Sequence, residues 1–311
     1  MSQTSRMRPS ASVHAAAWML TAQALFSVMS IGARLVSRDV PWQEVCGARM
    51  LIAGVVAFVV AKSRGKSLRV TDQKFAWLRS IFGTLSAAGT FYVLAAKGIA
   101  IGDAVTLFAT APIFVALLSW PLLGERVRPS VIVAVAVAFI GILIVTKPSF
   151  ESSRWVVIVG TLTALGSALA MMWLRKIGPG ESSEAIVFHF MCVGSVALAF
   201  ASIPVWRTPD SRSLLLLAMT GLAGGFAQLA LTRAYSRDNA ARVSVVGYSQ
   251  IVFVRVIAFP LFGEVPSLVQ VAGSVLVVGS GVILALRGRT EQTAAAVGSA
   301  SVRDRGGVRG G

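Results

Sequence analysis

The chain has 311 residues, of which 55% are hydrophobic and only 14% are charged. Soluble domains carry about a quarter charged residues, so this composition excludes an ordinary soluble protein and indicates a chain embedded in a membrane. The net charge of +16 would suit a nucleic-acid partner. The order of the basic residues along the chain follows membrane topology instead, and we predict no nucleic-acid binding.

The missing charge is removed in blocks of membrane-spanning length. Seven blocks hold about 18–25 uncharged residues each, enough at 1.5 Å per residue to cross a hydrocarbon core of about 30 Å. Three further apolar stretches are each interrupted by a basic residue. In chain order, the ten predicted helices cover about 9–33, 42–61, 77–96, 104–124, 129–146, 155–174, 185–206, 213–232, 240–262 and 265–286.

The basic residues concentrate on one side of the predicted membrane. With the N-terminus in the cytoplasm, 20 of the 29 Lys and Arg residues fall on the cytoplasmic side and seven on the outer side, while Arg49 and Arg255 lie within spans. This positive-inside bias predicts that both termini are cytoplasmic. Arg79, near the start of the third span, is counted here with the cytoplasmic residues.

An internal repeat divides the ten helices into two halves. Pro121-Leu-Leu-Gly-Glu125 returns as Pro260-Leu-Phe-Gly-Glu264, an offset of 139 residues, and at nearly the same offset Glu44 matches Glu184 and Arg49 matches His189. Five helices is an odd number, so the two halves must lie in opposite orientations in the membrane. Inverted repeats of this kind are typical of secondary transporters.

The predicted organisation follows from this repeat. Residues 1–12 form a cytoplasmic tail, 13–148 the first five-helix repeat, 154–287 the second repeat and 288–311 a disordered basic cytoplasmic tail. The predicted fold class is therefore an all-α integral membrane protein with ten transmembrane helices arranged as two inverted five-helix repeats.

Several segments, in this order and in both halves, resemble the drug/metabolite transporter superfamily with two EamA-type repeats. The pattern around Gly83-Thr84 and Gly263-Glu-Val-Pro266 is similar to the branch that contains S-adenosylmethionine carriers. The resemblance implies a multi-pass protein of a bacterial inner membrane that is not an enzyme. The segments are Arg79-Ser-Ile-Phe-Gly83-Thr84, Phe91-Tyr92-Val-Leu-Ala-Ala, Ala111-Pro112-Ile-Phe through Gly124-Glu125-Arg126, Gly141-Ile-Leu-Ile-Val-Thr-Lys-Pro148, Ala234-Tyr235, Tyr248, Gly263-Glu264-Val-Pro266 and Gly279-Ser-Gly281.

Polar side chains within the spans are the candidates for a substrate site. A polar group in hydrocarbon is costly, so each one needs a partner or a water-filled cavity. Arg49 would bind a carboxylate of the substrate, His189 would hydrogen-bond it or carry a proton, and two tyrosines would stack on a flat ring. The predicted substrate-binding residues are Arg49, Tyr92, His189, Gln228, Tyr248, Gln250 and Arg255.

Each candidate also has a purely structural interpretation, which the sequence leaves open. Arg49 would reach one membrane surface or pair with Glu44, and Arg255 would reach the outer surface. His189 would be a packing residue, and the remaining candidates would form interhelical hydrogen bonds.

Three further residues are predicted to act at helix ends rather than in the site. They are Pro112, Glu125 and Glu264. The two glutamates follow glycine in the repeated motif, and in inverted halves they face opposite sides of the membrane, so they cannot form one paired-carboxylate site. We predict that they fix the turn between the last two helices of each repeat.

The predicted function is a secondary transporter that moves a small polar or zwitterionic metabolite, amino-acid-like or S-adenosylmethionine-like, by alternating access. The alternative within the superfamily is a broad-specificity drug or amino-acid exporter, and outside it a membrane-embedded enzyme or a non-transporting scaffold. The spans hold no carboxylate at mid-depth, which favours exchange or facilitated diffusion. We predict no cofactor and no metal; the partners are a small-molecule substrate and the lipid bilayer, with a homodimer left open.

Overall fold

A computed structural model describes residues 11–96, 101–146, 154–178, 180–262, 267–269, 271–280 and 283. These residues fold into ten helical rods, two of which are interrupted and therefore counted as two helices each. In chain order the helices are α1 (Ala11–Val36), α2 (Trp42–Ser63), α3 (Gln73–Ala95), α4 (Ile101–Phe108), α5 (Ala111–Leu123), α6 (Pro129–Thr146), α7 (Arg154–Ile177), α8 (Ser183–Ser202), α9 (Ser211–Tyr235), α10 (Ala240–Gly247), α11 (Ser249–Phe262) and α12 (Val271–Ser280).

The surface of the bundle is apolar where a membrane would surround it. Seven of the rods are long and apolar enough to cross a bilayer by length and composition. Large side chains such as Leu51, Leu85, Leu117 and Trp120 point outward and are exposed. Since soluble proteins rarely expose contiguous apolar surface of this extent, the chain is a multi-pass membrane protein, as its composition predicts.

Short polar side chains start several of the helices. Asp72 accepts a hydrogen bond from the Phe75 backbone N–H at 3.2 Å, and Asp210 accepts one from the Ser213 N–H at 2.8 Å. Ser182 caps α8 in the same way. Each cap satisfies one of the backbone donors that a helix N-terminus leaves unpaired, and so it fixes where a span begins.

The helices pack with the two-fold pattern of an inverted repeat. Helix α1 lies along α9, and its repeat mate α7 lies along α3; between these pairs, α2 packs against its own mate α8. One contact is duplicated in atomic detail. Arg34 at the end of α1 donates to the Leu94 carbonyl, and Arg175 at the end of α7 donates to the Tyr235 carbonyl. The two arginines are 141 residues apart in the sequence, and so are the two carbonyl residues, Leu94 and Tyr235.

The fourth and ninth rods are interrupted at equivalent positions. Helix α4 ends at Phe108 and α5 starts at Ala111, and α10 ends at Gly247 and α11 starts at Ser249. Ala109 and Tyr248, within these two breaks, are separated by the same 139 residues as the Gly-Glu motif. Pro112 lies in the first turn of α5, where a proline costs no helical hydrogen bond. Interrupted helices in transporters mark the place where backbone lines a cavity rather than lipid.

Candidate functional site

A cavity of about 550 Å³ lies in the centre of the bundle, between the two repeats. Its wall takes side chains from α1, α2, α3, α5, α7, α8, α9, α10 and α11, and from both helix interruptions. Volumes of this size hold small organic ligands. The position between inverted halves, beside two broken helices, is where a transporter binds its substrate.

Five of the seven predicted substrate-binding residues line this cavity. They are Arg49 from α2, Gln228 from α9, Tyr248 at the break before α11, and Gln250 and Arg255 from α11. Pro112, predicted as a helix-end residue, also reaches the wall. The sequence positions come together because α2, α9 and α11 face one another across the centre of the bundle.

The Arg49 side chain is buried inside the bundle, with only 4% of its surface exposed. Its Nη2 donates to the Gln228 Oε1 at 3.4 Å, and its Nη1 lies 3.9 Å from the Met191 sulfur. Gly224 makes room for it, since a Cβ at that position would lie 2.8 Å from the Arg49 Nε. Arg49 therefore neither reaches the membrane surface nor pairs with Glu44, whose carboxylate accepts from the Arg207 backbone N–H.

Arg79 is a second buried arginine in the wall, and it is not among the residues predicted to bind substrate. Only 2% of its surface is exposed, and its guanidinium lies 4.2 Å from the centre of the Phe190 ring. Gly83, one turn later on α3, leaves the space that it occupies: a Cβ there would collide with the Arg79 Nη1 and lie 2.7 Å from the Phe190 Cε2. The prediction that Arg79 belongs to the basic residues on the cytoplasmic side was wrong for its guanidinium group, because the long side chain turns into the bundle.

Two predicted substrate-binding residues are placed outside the cavity. His189 is half-buried between α3 and α8, where its Nδ1 lies 2.9 Å from the Ser80 Oγ and its ring packs edge-on against Trp77 at 5.1 Å. Tyr92 packs edge-on against Trp42 at 6.0 Å. Their neighbours in the chain, Phe190 and Phe91, line the wall instead. The two candidates therefore do not converge with Arg49 and Tyr248, contrary to the expectation from the sequence.

Several buried hydrogen-bonding groups of the cavity wall are unpaired among the described residues, as are others elsewhere in the bundle. Within the described residues, no partner is present for the Arg49 Nε, the Arg79 Nε and Nη1, the Gln228 Nε2 or the Tyr248 hydroxyl. Most buried polar groups in proteins are hydrogen-bonded, so a cluster of unpaired ones indicates a site that a ligand or water fills. Apart from the hydroxyl, all of these groups are donors only.

Paired charges lie instead at one end of the bundle. We call this the basic end; it is where α2, α5, α7 and α9 finish and it holds Arg64, Arg175 and Arg233. The Arg175 Nε donates to the Glu125 Oε1 at 2.9 Å, and the other carboxylate oxygen accepts from the Asn239 side chain at 2.6 Å. Glu125 thus joins the first repeat to two helices of the second, directly after the left-handed cap at Gly124 (φ 69°).

A second cluster at the basic end is centred on Glu184. Glu184 is 5% exposed, and its carboxylate accepts hydrogen bonds from Arg233 and, at 3.4 Å, from Arg64. The Arg233 guanidinium also lies 4.9 Å from the centre of the Trp18 ring. This cluster ties α8 to α9, α2 and α1. Glu264, the repeat mate of Glu125, lies outside the described residues.

The described residues include no group of three or more His, Cys, Asp or Glu side chains that could hold a metal ion. The polar side chains that these residues contribute to the cavity wall carry guanidinium, amide, phenol and hydroxyl groups. A largely apolar cavity with a few polar groups, enclosed by two inverted five-helix repeats, is the arrangement of a membrane transporter.

Comparison with known proteins identifies the family. The profile of the EamA-like transporter family matches residues 14–147 and again 154–286, so the chain belongs to that family within the drug/metabolite transporter superfamily. A pseudopaline exporter, CntI of Pseudomonas aeruginosa, is 30% identical over 81% of this chain and 89% of its own length. An S-adenosylmethionine uptake transporter of Rickettsia prowazekii is 23% identical over 84% of this chain and 88% of its own.

A solved crystal structure of another protein has the same fold. It superposes with a TM-score of 0.76 at 19% sequence identity and covers 88% of this chain and 98% of that chain. The relatives are named as transporters, and they include both an exporter and an uptake protein. The chain is therefore a membrane transporter with a small-molecule substrate, and the resemblance found in the sequence motifs is confirmed.

Proposed function

We propose that the chain is a secondary carrier that moves a small polar or zwitterionic metabolite, amino-acid-like or S-adenosylmethionine-like, by alternating access around the central cavity. The observation that carries the proposal is the cavity itself. It is lined by both repeats, lies beside both helix interruptions and collects Arg49, Gln228, Tyr248 and Gln250 on its wall. Binding at this position lets a rocking motion of the two halves expose the same site to either side.

In such a transport cycle, contacts between the two repeats at the basic end would keep the cavity closed on that side. Glu125 on the first repeat holds Arg175, Asn239 and the Ala240 backbone N–H on the second. Rocking the halves apart at this end has to break these bonds. Since both charged partners are about a fifth to a quarter exposed, water can replace the bonds at modest cost.

The basic end faces the cytoplasm in this proposal, and the membrane is a bacterial inner membrane. The positive-inside distribution of Lys and Arg supports the orientation. The bacterial relatives support the membrane assignment. The same orientation places the end of α1, with Arg34, on the outer side.

Transport by the purified chain in proteoliposomes tests the proposal. The panel holds labelled S-adenosylmethionine, amino acids, dicarboxylates and a nucleotide sugar, each tested for uptake and for exchange against the same solute inside. We expect at least one to cross, and Arg49→Ala to slow its transport about tenfold or more, because a charge-assisted hydrogen bond to substrate contributes about 1.5–3 kcal/mol.

Arg212→Ala is the matched control, since Arg212 is exposed in the first turn of α9 and away from the cavity. Equal transport by Arg49→Ala and the wild type would contradict the site. Passage of no solute in the panel by a correctly folded protein would contradict the function. Vesicles with the basic end facing outward and inward, compared under opposite gradients, give the preferred direction.

A further inference from the structure

Arg49 and Arg79 are two deeply buried cations in the wall of the central cavity. Both are buried, and within the described residues neither forms an ion pair. Burying a charge in hydrocarbon or in a protein core is expensive unless an opposite charge or strong acceptors accompany it. The protein therefore bears the free-energy cost of a buried, unpaired charge at two residues of the same cavity wall.

The two guanidinium groups lie close together in the wall. Arg79 packs on the Phe190 ring and Arg49 contacts the sulfur of the next residue, Met191. Both side chains line the same cavity. A single region of the cavity therefore presents two positive charges.

The unpaired atoms of this region are hydrogen-bond donors. The Nε of Arg49 and the Nε and Nη1 of Arg79 lack partners, and so does the Nε2 of Gln228 beside them. A ligand that satisfies them must offer several acceptor oxygens and negative charge. Carboxylate groups meet both needs and match the planar geometry of guanidinium.

Glycines leave the space in which both side chains lie. Gly83 and Gly224 lie against Arg79 and Arg49, where a Cβ would press on the guanidinium group or the Nε. The Phe190 ring adds a cation–π contact on the face of Arg79. None of these contacts neutralises charge or consumes the unpaired donors, so they fix the orientation of the arginines while leaving their donors available.

From this geometry we propose that Arg49 and Arg79 form one anion-binding subsite, and that the transported solute carries two carboxylates, which it places on this pair. The inference rests on the proposed function and narrows its substrate to solutes with two carboxylates, such as those that resemble an acidic amino acid; an S-adenosylmethionine-like solute, with one carboxylate, falls outside it. Tyr248 and Gln250, elsewhere on the wall, contact the rest of the solute.

Thermal unfolding of the full-length protein in nanodiscs tests the subsite directly. The probes are glutarate and its uncharged diamide, glutaramide, at constant ionic strength. A ligand that binds only the folded state raises the midpoint with its concentration, which gives an apparent Kd. We expect glutarate, and not glutaramide, to raise the midpoint of the wild type.

Variants of the pair give the second half of the test. Arg49→Gln and Arg79→Gln should each weaken glutarate binding by about thirtyfold or more, because losing one partner of a buried charged contact costs at least about 2 kcal/mol. The double variant should show no glutarate-dependent shift, while Arg212→Gln should match the wild type. Size-exclusion profiles and tryptophan fluorescence verify that the variants are folded.

Two results would overturn the subsite: no glutarate-dependent shift in the wild type, or the same shift in the double variant. Transport distinguishes this failure from failure of the proposed function. If the protein carries a neutral metabolite of the panel and glutarate neither binds nor competes, the carrier stands and the anion subsite falls. If glutarate binds at the pair but nothing is transported, the subsite stands and the carrier falls.

Discussion

The centre and the basic end of this bundle treat buried arginines in opposite ways. At the basic end Arg233 and Arg175 are satisfied by the carboxylates of Glu184 and Glu125. In the centre Arg49 and Arg79 are more deeply buried, and among the described residues neither has a carboxylate partner. Ion pairs between helices stabilise their packing, whereas unpaired donors in a cavity wall are available to bind a ligand. The difference separates the charges that maintain the fold from those that we assign to transport.

Removing the acid of the buried basic-end cluster should have the largest effect on stability. Glu184→Gln leaves Arg233 without its main counter-charge, and we expect the free energy of unfolding to fall by about 3 kcal/mol. Thermal unfolding in nanodiscs measures the change. Arg64→Gln is the control: its side chain is 54% exposed, so losing it should change stability by no more than about 1 kcal/mol.

That pair of variants sharpens the contrast between the two regions. Transport per folded molecule should remain close to that of the wild type in Glu184→Gln, since the cluster does not line the cavity. If the Glu184→Gln protein is as stable as the wild type, the paired charges at the basic end do not stabilise the fold, and the contrast with the unpaired arginines in the centre is wrong.

Filling the space beside Arg79 should impair substrate binding without removing any charge. In Gly83→Ala the new methyl group collides with the guanidinium and with Phe190, so Arg79 must leave its position. We expect the apparent affinity for the transported solute to fall about tenfold, the value of one charge-assisted hydrogen bond. Concentration-dependent uptake measures it.

Gly47→Ala is the matched helical glycine for this experiment. A Cβ at Gly47 meets Leu198 at 3.4 Å, an ordinary contact distance. Its transport should therefore equal that of the wild type. Equal losses in both variants would attribute the effect to helix packing in general rather than to the position of Arg79.

Weakening the basic-end contact between the repeats should give the smallest effect, a shift between conformations. Glu125→Gln removes the ion pair with Arg175, which is partly exposed and contributes no more than about 1 kcal/mol. In a Ser244→Cys background, with Ser244 in the cavity wall, a membrane-impermeant maleimide should then react about two to five times faster from the basic end. Cys46 and Cys192 are replaced beforehand.

The control for labelling is Asp72→Asn, another acid at the basic end. Its side chain accepts from the Phe75 backbone N–H within the first repeat, so the change removes a charge without removing a contact between the repeats. The labelling rate should stay at the wild-type value. Faster labelling in Asp72→Asn, or an unchanged rate in Glu125→Gln, would separate the Glu125 contact from opening of the cavity.

Much of this architecture could be predicted from the sequence because it is written in regular patterns. Membrane spans follow from uncharged blocks, and the inverted duplication follows from one motif repeated after an odd number of helices. Arg49 was selected because it interrupts an apolar run about a turn and a half into the second predicted helix. These signals are local and periodic, so they survive without knowledge of the tertiary structure.

The missed features depend on where side chains turn. Arg79 lies close to the start of its span and resembles a topology-fixing charge, but its long side chain bends inward over Gly83. An arginine followed by glycine four residues later, inside a span, is the available signal. His189 matches Arg49 in the repeat, yet a rotation of about 100° per residue along α8 gives the cavity wall to Phe190 instead. Register, rather than residue type, decided this position.

Long-range contacts were also outside the reach of the sequence. Glu125 was predicted to fix a local turn, and it does follow the cap at Gly124, but its partners Arg175 and Asn239 lie 50 and 114 residues away. No proline lies next to the helix break at Tyr248, so the sequence does not indicate that break as Pro112 indicates the other one. Only the packing of the two repeats reveals that both breaks open onto one cavity.

The most direct test of this account is a paired measurement on Arg49→Gln, with transport and thermal unfolding determined on the same preparation. We predict that substrate affinity falls about tenfold or more, while the unfolding midpoint stays equal to that of the wild type or rises, because an uncompensated buried charge has been removed. A lowered midpoint with undiminished transport per folded molecule would contradict the account, since Arg49 would then be a structural residue like Arg233.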